Sequence, residues 1–175
     1  IRVGSGGVML SHYSPLKVAE TFRTLQALNP GRIDLGVGRA PGGTDKTSQA
    51  LAFPNHPNDA RLYPQMLNDL NDFLGDSFSP DHPYYGVNAT PIGAQAPQLW
   101  TLGSSTGSVE LAAELGLGFV LALFIGTHDR STDIIRHYKQ RFRANGKGFK
   151  TPQSILSVAC ICADSKEEAA YLAAP

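Results

Sequence analysis

Residues 98–125 read QLWTLGSSTGSVELAAELGLGFVLALFI, and this stretch decides the fold. The run 98–103, QLWTLG, suits a strand. Residues 105–115 place Val109, Ala112 and Ala113 at helical spacing, and 119–125, FVLALFI, is wholly apolar, as parallel strands buried on both faces tend to be. A helix also separates the runs 1–10 and 33–38 and leaves room for a crossover, so that pair is most simply parallel.

The same pattern extends outward. Upstream, 33–38 (IDLGVG) and 1–10 (IRVGSGGVML) read as strands, the second broken by Gly4, Gly6 and Gly7, where close backbone approach is expected. Between them Ser14 as N-cap and Pro15 open a helix with Val18, Phe22 and Leu25 inward, stopped at Asn29-Pro30-Gly31. Residues 39–58 are rich in Gly, Pro, Ser, Thr and Asn and read as a long loop. Asp59 is expected to cap a helix with Leu62, Met66, Leu70, Phe73 and Leu74 inward and Gly75 at its end. Pro80, Pro83, Pro91 and Pro97 make 76–97 a second irregular excursion. Downstream come a helix over about 128–144 presenting Ile134, Ile135, Tyr138 and Phe142 and closed by Asn145-Gly146, a strand over 154–163, and a last helix opened by Asp164-Ser165. Five strand and helix alternations predict an α/β protein with a parallel sheet. A doubly wound sheet fits five strands; a (β/α) barrel needs eight strands and about 250 residues, so this chain would be part of one.

The 175 residues carry 15 Lys plus Arg against 15 Asp plus Glu, with 42% hydrophobic content, which suits one folded domain and argues against disorder. A net charge of zero leaves no global field to gather nucleic acid or an acidic membrane. No apolar run approaches the roughly 18–20 residues of a membrane span. The two cysteines, Cys160 and Cys162, are too close for an ordinary disulfide and lack the second pair of a zinc site, which points to a reducing, cytoplasmic setting. The chain opens at Ile1 inside an apparent strand, as a piece of something longer would.

Two glycine-rich strand ends invite a nucleotide fingerprint, but G-x-G-x-x-G fails at Met9 and at Pro41, and Lys46-Thr47 lacks the glycine of a P-loop. His12, His56, His82, His128 and His137 show no metal-ligand spacing, so no metal site is expected. Gly103-Ser104-Ser105-Thr106-Gly107 matches G-x-S-x-G between a strand and a helix, the setting of a hydrolase nucleophile at Ser105. Its partners would have to be Asp129 or Asp133 with His137, all on one helix, which is poor triad geometry. The same segment also reads as a phosphate cradle: a helix N-terminus with spare N–H groups, ringed by the hydroxyls of Ser104, Ser105, Thr106 and Ser108. Arg39, just past the strand IDLGVG, stands where a parallel sheet places its ligand side; it would clasp a phosphate or pair with Asp45.

Taken together, IRVGSGGVML-SHYSPLKVAE, GRIDLGVGRAPGG and LGSSTGSVELAAELGLGFVLA resemble the bacterial luciferase-like flavin-dependent monooxygenase family, in the same order and over essentially the whole chain. The resemblance implies a single partial barrel domain over 1–175, running from strand three to the helix after strand seven of an eight-stranded TIM barrel. It implies reduced FMN as cofactor, with a deazaflavin admitted because relatives of this barrel use either. By position, Arg39 looks like the phosphate-clasping arginine, and Gly103, Ser104, Ser105 and Ser108 like the phosphate turn after strand five. Gly6-Gly7 falls where relatives carry a non-prolyl cis peptide beside the flavin ring.

Departures accompany these matches. Ser11 replaces a frequent proline, and Gly38 replaces the reactive cysteine of the luciferase α chain. No residue takes the place of luciferase's catalytic histidine, which belongs to an earlier segment. The implied activity is oxygenation of an aldehyde or similar small organic substrate by O2, with a flavin reductase as transient partner and a homodimer as assembly. Leu10, Trp100 and Phe124 are candidates to line the pocket, though ordinary core suits each, and His12 reads as an exposed loop histidine. A non-catalytic flavin-binding or vestigial barrel fragment, and a Ser105 hydrolase, are the competing functions.

Overall fold

In the computed structural model, which describes every residue except 41, 54–59, 125–132, 146, 175 and the side chain of residue 60, the strands form one parallel sheet. These are Val3–Gly4 (β1), Val8–Met9 (β2), Ile33–Gly38 (β3), Gln98–Gly103 (β4), Gly118–Ala122 (β5) and Ser154–Ser157 (β6). Their order is β1-β3-β4-β5-β6, with β2 also paired to β3. The sheet curls into a half-barrel, as an incomplete barrel predicts. The helices are Pro15–Leu28 (α1), Asp45–Ala52 (α2), Tyr63–Gly75 (α3), Thr106–Glu114 (α4), Asp133–Arg141 (α5) and Lys166–Ala173 (α6). None of the described helices is long and apolar enough to cross a membrane.

Alternation along the strands sorts side chains into two faces. Leu35, Val37 and Leu99 point outward, into a core with α1 and α3 built on Val18, Leu67, Leu70 and Phe73. Phe119 and Leu121 pack with Val109, Ala112, Ala113 and Tyr138 in a second cluster beneath α4 and α5. Asp34, Gly36, Trp100, Leu102 and Val120 face the concave side instead. All five residues of β5 are buried, which its continuous apolar run anticipates.

The first expected strand is interrupted. Gly4 pairs with Asp34 and Val8 with Val37, so four steps along one strand match three along the other, and one residue bulges out. Ser5 heals the gap: its hydroxyl donates to the Gly36 carbonyl at 2.7 Å and accepts from the Gly36 N–H at 3.0 Å. The glycines permit the approach, since a Cβ on Gly36 would lie 2.3 Å from the Ser5 carbonyl oxygen and one on Gly7 would lie 2.7 Å from that of Gly36.

Several boundaries differ from the sequence reading for local reasons. The expected loop over 39–58 contains α2, because Thr44 caps it by accepting from the Thr47 N–H at 3.3 Å. Asp59 lies outside the described residues; α3 itself begins at Tyr63, with Pro64 in its first turn. The strand expected over 154–163 is paired only to Ser157, and the helix over 128–144 is seen as Asp133–Arg141, its earlier part and Gly146 being outside the described residues. Ser165 does cap α6, accepting from the Glu168 N–H at 3.1 Å.

On α1, Val18 is buried and Phe22 packs against the core as expected, but Leu25 is exposed and the buried stripe is Val18, Ala19, Arg23 and Gln26. Polar side chains enter because each finds a partner. Gln26 accepts from the Ile33 N–H at 3.2 Å. Arg23, 1% exposed, donates to both carboxylate oxygens of Asp76 at 2.7 and 2.8 Å and to the Phe73 carbonyl at 3.1 Å. It thereby satisfies a carbonyl at the end of α3 and fixes Asp76, with φ 49°, as the left-handed cap that Gly75 was expected to announce.

Candidate active site

In parallel sheets the ligand side lies beyond the C-terminal strand ends. There the chain leaves β3 at Arg39 and β4 at Ser104, and the two strands are neighbours. Gly38 pairs with Leu102, so one further step sets Arg39 beside Gly103. Sequence position and topology therefore bring the expected arginine and the expected serine turn together. Among the described residues Arg39 has no ion pair, and the alternative pairing with Asp45 is not formed.

The turn is tightly built. Ser105 occupies the N-cap of α4 in extended conformation, but its hydroxyl does not cap the helix; it lies 3.3 Å from the Ser108 hydroxyl instead. Ser108 sits over the bare Cα of Gly103, where a Cβ would come within 2.4 Å of the Ser108 Cβ and 2.5 Å of its Oγ. Glycine at 103 thus lets the first turn of α4 close onto the strand end, with two serine hydroxyls and the first helix N–H groups at one place. That donor set, with a guanidinium alongside, suits a phosphate.

Beneath it lies a pair that sequence reading missed. The Tyr63 hydroxyl is 3.1 Å from Thr101 Oγ1, and both residues are buried, at 5% and 1% exposure. Burial pushes the Tyr63 pKa up, while the Thr101 hydrogen bond and the charge of Arg39 act in the opposite direction. Arg39 is therefore close enough for its charge to reach the buried hydroxyl. Pro64 signals in the sequence only that a helix starts here; it does not pair Tyr63 with Thr101.

The concave face forms an open trough of about 430 Å³, lined by Gly4, Gly6, Trp100, Leu102, Val120 and Ile155 among others. Small-molecule sites fall in this size range. At its lower end Arg2 donates to Asp34 and Gln98, and Trp100 Nε1 donates to Asp34 at 3.1 Å. Gly6 borders the trough, and Gly7 abuts Gly36 and Leu102. The cis bond expected between Gly6 and Gly7 is not found: the cis peptide among the described residues is Thr90-Pro91. Gly7 serves the close approach of the bulge, whereas a Cβ on Gly6 would meet open space, and the ground for placing the pair against a flavin ring falls away.

Other expectations are also revised. His12 is buried, not exposed, in the short 3-10 turn Leu10–His12, and Leu10 belongs to the outer core. Trp100 does line the trough, and Phe124, half exposed, follows β5. Among the described residues the hydrolase constellation is not brought together. Ser105 faces Ser108, His137 faces Glu110 at 3.5 Å, and Asp133 pairs with Arg136; Asp129 lies outside the described residues.

The model of the luciferase-like monooxygenase family matches residues 1–175. The uncharacterized protein YceB of Bacillus subtilis is 47% identical across 99% of this chain and 51% of its own length. The N-acetyl-S-alkylcysteine monooxygenase of the same organism is 40% identical across 97% of this chain and 49% of its own length. Among solved structures, apo-MsnO8 superposes with a TM-score of 0.77 at 42% identity, covering 96% of this chain and 48% of that one. The chain spans about half the length of the relatives it matches. With its parallel half-barrel and a full-length family match, the chain belongs to the luciferase-like monooxygenases.

Proposed function

We propose that this chain supplies the phosphate-binding end of a monooxygenase that uses reduced FMN and O2 to oxygenate a small organic substrate. The observation that carries the reading is the juxtaposition of Arg39, without an ion pair among the described residues, and the Gly103–Ser108 turn, at the C-terminal ends of adjacent parallel strands. Reduced FMN, when bound, supplies the activation of oxygen. The chain's own part is binding and orientation: Arg39 offers a two-pronged donor, Ser104, Ser105 and Ser108 offer hydroxyls, and the start of α4 offers backbone N–H groups. Leu102, Val120 and Trp100 give the open trough apolar walls against which a flat ring could lie.

The substrate class implied by the resemblance is an aldehyde or a similar small molecule; the name of the relative at 40% identity adds a thioether to the compounds worth testing. A flavin reductase is the expected transient partner, a homodimer the expected assembly, and the cytoplasm the expected setting. The purified protein should be supplied with FMN, a flavin reductase, NADH and 18O2, and offered a long-chain alkanal and an N-acetyl-S-alkylcysteine. One 18O atom incorporated per product molecule is expected. Flavin binding without product would favour the non-catalytic reading, and a preference for the deazaflavin would move the cofactor assignment away from FMN. Failure to bind any flavin sinks the proposal.

A further inference from the structure

We infer that Tyr63 is a positioning residue for the phosphate end of the site, acting through Thr101. This rests on the reading above that Arg39 and the serine turn hold a phosphate. The Tyr63 hydroxyl and Thr101 Oγ1, 3.1 Å apart, join the first residue of α3 to β4 two residues before Gly103. The bond is buried at both ends, so water does not compete for it. Thr101 points to the helix-bearing side of the sheet, while Leu102 after it lines the trough. Gly103 then carries Ser108 against its bare Cα.

A shift of Thr101 is thus passed along two covalent steps to the point where the serine turn rests. On the other side, Arg39 leaves β3 in the register position beside Gly103, near enough to Tyr63 for its charge to favour the ionised hydroxyl. One buried hydroxyl pair therefore underlies both halves of the donor set, fixing α3 and β4 relative to each other where arginine and serines converge. A purely structural bond would affect stability and every ligand alike. A positioning bond acts on the phosphate in particular.

The test uses FMN and riboflavin, which differ only in the phosphate. Fluorescence titration of the purified protein gives the two dissociation constants, and thermal melts give stability. The wild type should prefer FMN. Tyr63→Phe, which keeps the ring and its burial, should weaken FMN about fivefold, the effect of losing one ordinary hydrogen bond, and leave riboflavin unchanged. Thr101→Val should repeat this loss, and Thr101→Ser, which retains the hydroxyl, should restore the preference. If the wild type prefers FMN and Tyr63→Phe leaves the ratio unchanged, or weakens both flavins equally, the positioning role is overturned while the phosphate site stands. If the wild type shows no preference, the phosphate site itself fails, and the positioning role with it.

Discussion

Gly103→Ala places a methyl group where the structure leaves none. The added Cβ would lie 2.4 Å from the Ser108 Cβ and 2.5 Å from its Oγ, with Phe119 at 3.6 Å behind. Carbon atoms in optimal contact sit roughly 3.5–4.0 Å apart, so more than 1 Å must be recovered by moving the first turn of α4 off the strand. Such overpacking costs typically 1–3 kcal/mol. The alanine returns about 0.4–1 kcal/mol by restricting the unfolded chain, which leaves a net loss centred on about 1.3 kcal/mol. The displaced Ser108 hydroxyl should also leave the phosphate, weakening FMN about fivefold or more, the effect of one hydrogen bond. Urea denaturation measures the first effect and FMN titration the second. Combining Gly103→Ala with Ser108→Gly separates them: the clash disappears and stability should return in part, short of the wild type by the roughly 0.5–1 kcal/mol that glycine costs within a helix, whereas FMN affinity should stay low because the hydroxyl is gone. A Gly103→Ala variant as stable as the wild type, with unaltered FMN affinity, would refute the packing argument and the assigned role of the turn together.

Two further predictions concern the scaffold. Arg23→Met keeps the buried stem but strips the Phe73 carbonyl and Asp76 of their donor; because Asp76 is partly exposed and can regain water, roughly 2 kcal/mol of stability should be lost, read by urea denaturation, and no loss would show that the guanidinium is not the cap of α3. Tyr138, fully buried, donates to the Leu117 carbonyl at 2.7 Å and accepts from the Gln153 N–H at 3.2 Å, so Tyr138→Phe should cost about 1–3 kcal/mol. Burial pushes the Tyr138 pKa up to about 12 from 10.0, so the folded state holds the proton more tightly than the unfolded one. The stability tied to that proton is complete below pH 10 and declines as pH rises towards 12. The wild type should therefore lose stability faster than Tyr138→Phe across that window, and parallel curves would contradict the shift.

Much of the fold was legible because it rests on patterns with a single physical reading. The apolar run 119–125, the spacing of Val109, Ala112 and Ala113, and the stripe of Ile134, Ile135, Tyr138 and Phe142 leave little freedom of assignment; the helix stripes pack as expected, and the strand is found at Gly118–Ala122, ending short of the run. What escaped was decided by partners distant in sequence. Arg23 reads as a surface residue until Asp76 is brought to it, and its place in the buried stripe of α1 follows from that pair. The break between β1 and β2 needed Ser5 to meet Gly36, and α2 lay hidden in a composition that also suits loops. At the site, Arg39 and the serine turn could be placed from strand ends alone, since a parallel sheet puts them at one edge. Tyr63 and Thr101 could not be paired, because nothing in a sequence tells two hydroxyls on separate elements that they meet.

The central claim is that phosphate binds where Arg39 and the Gly103–Ser108 turn converge. A structure of the protein determined with FMN tests it most directly. The account predicts the flavin phosphate within about 2.7–3.0 Å of the Arg39 guanidinium and of serine hydroxyls in that turn, with the ring extending towards the concave trough. A flavin bound with its phosphate elsewhere, and Arg39 turned away from it, would contradict the account.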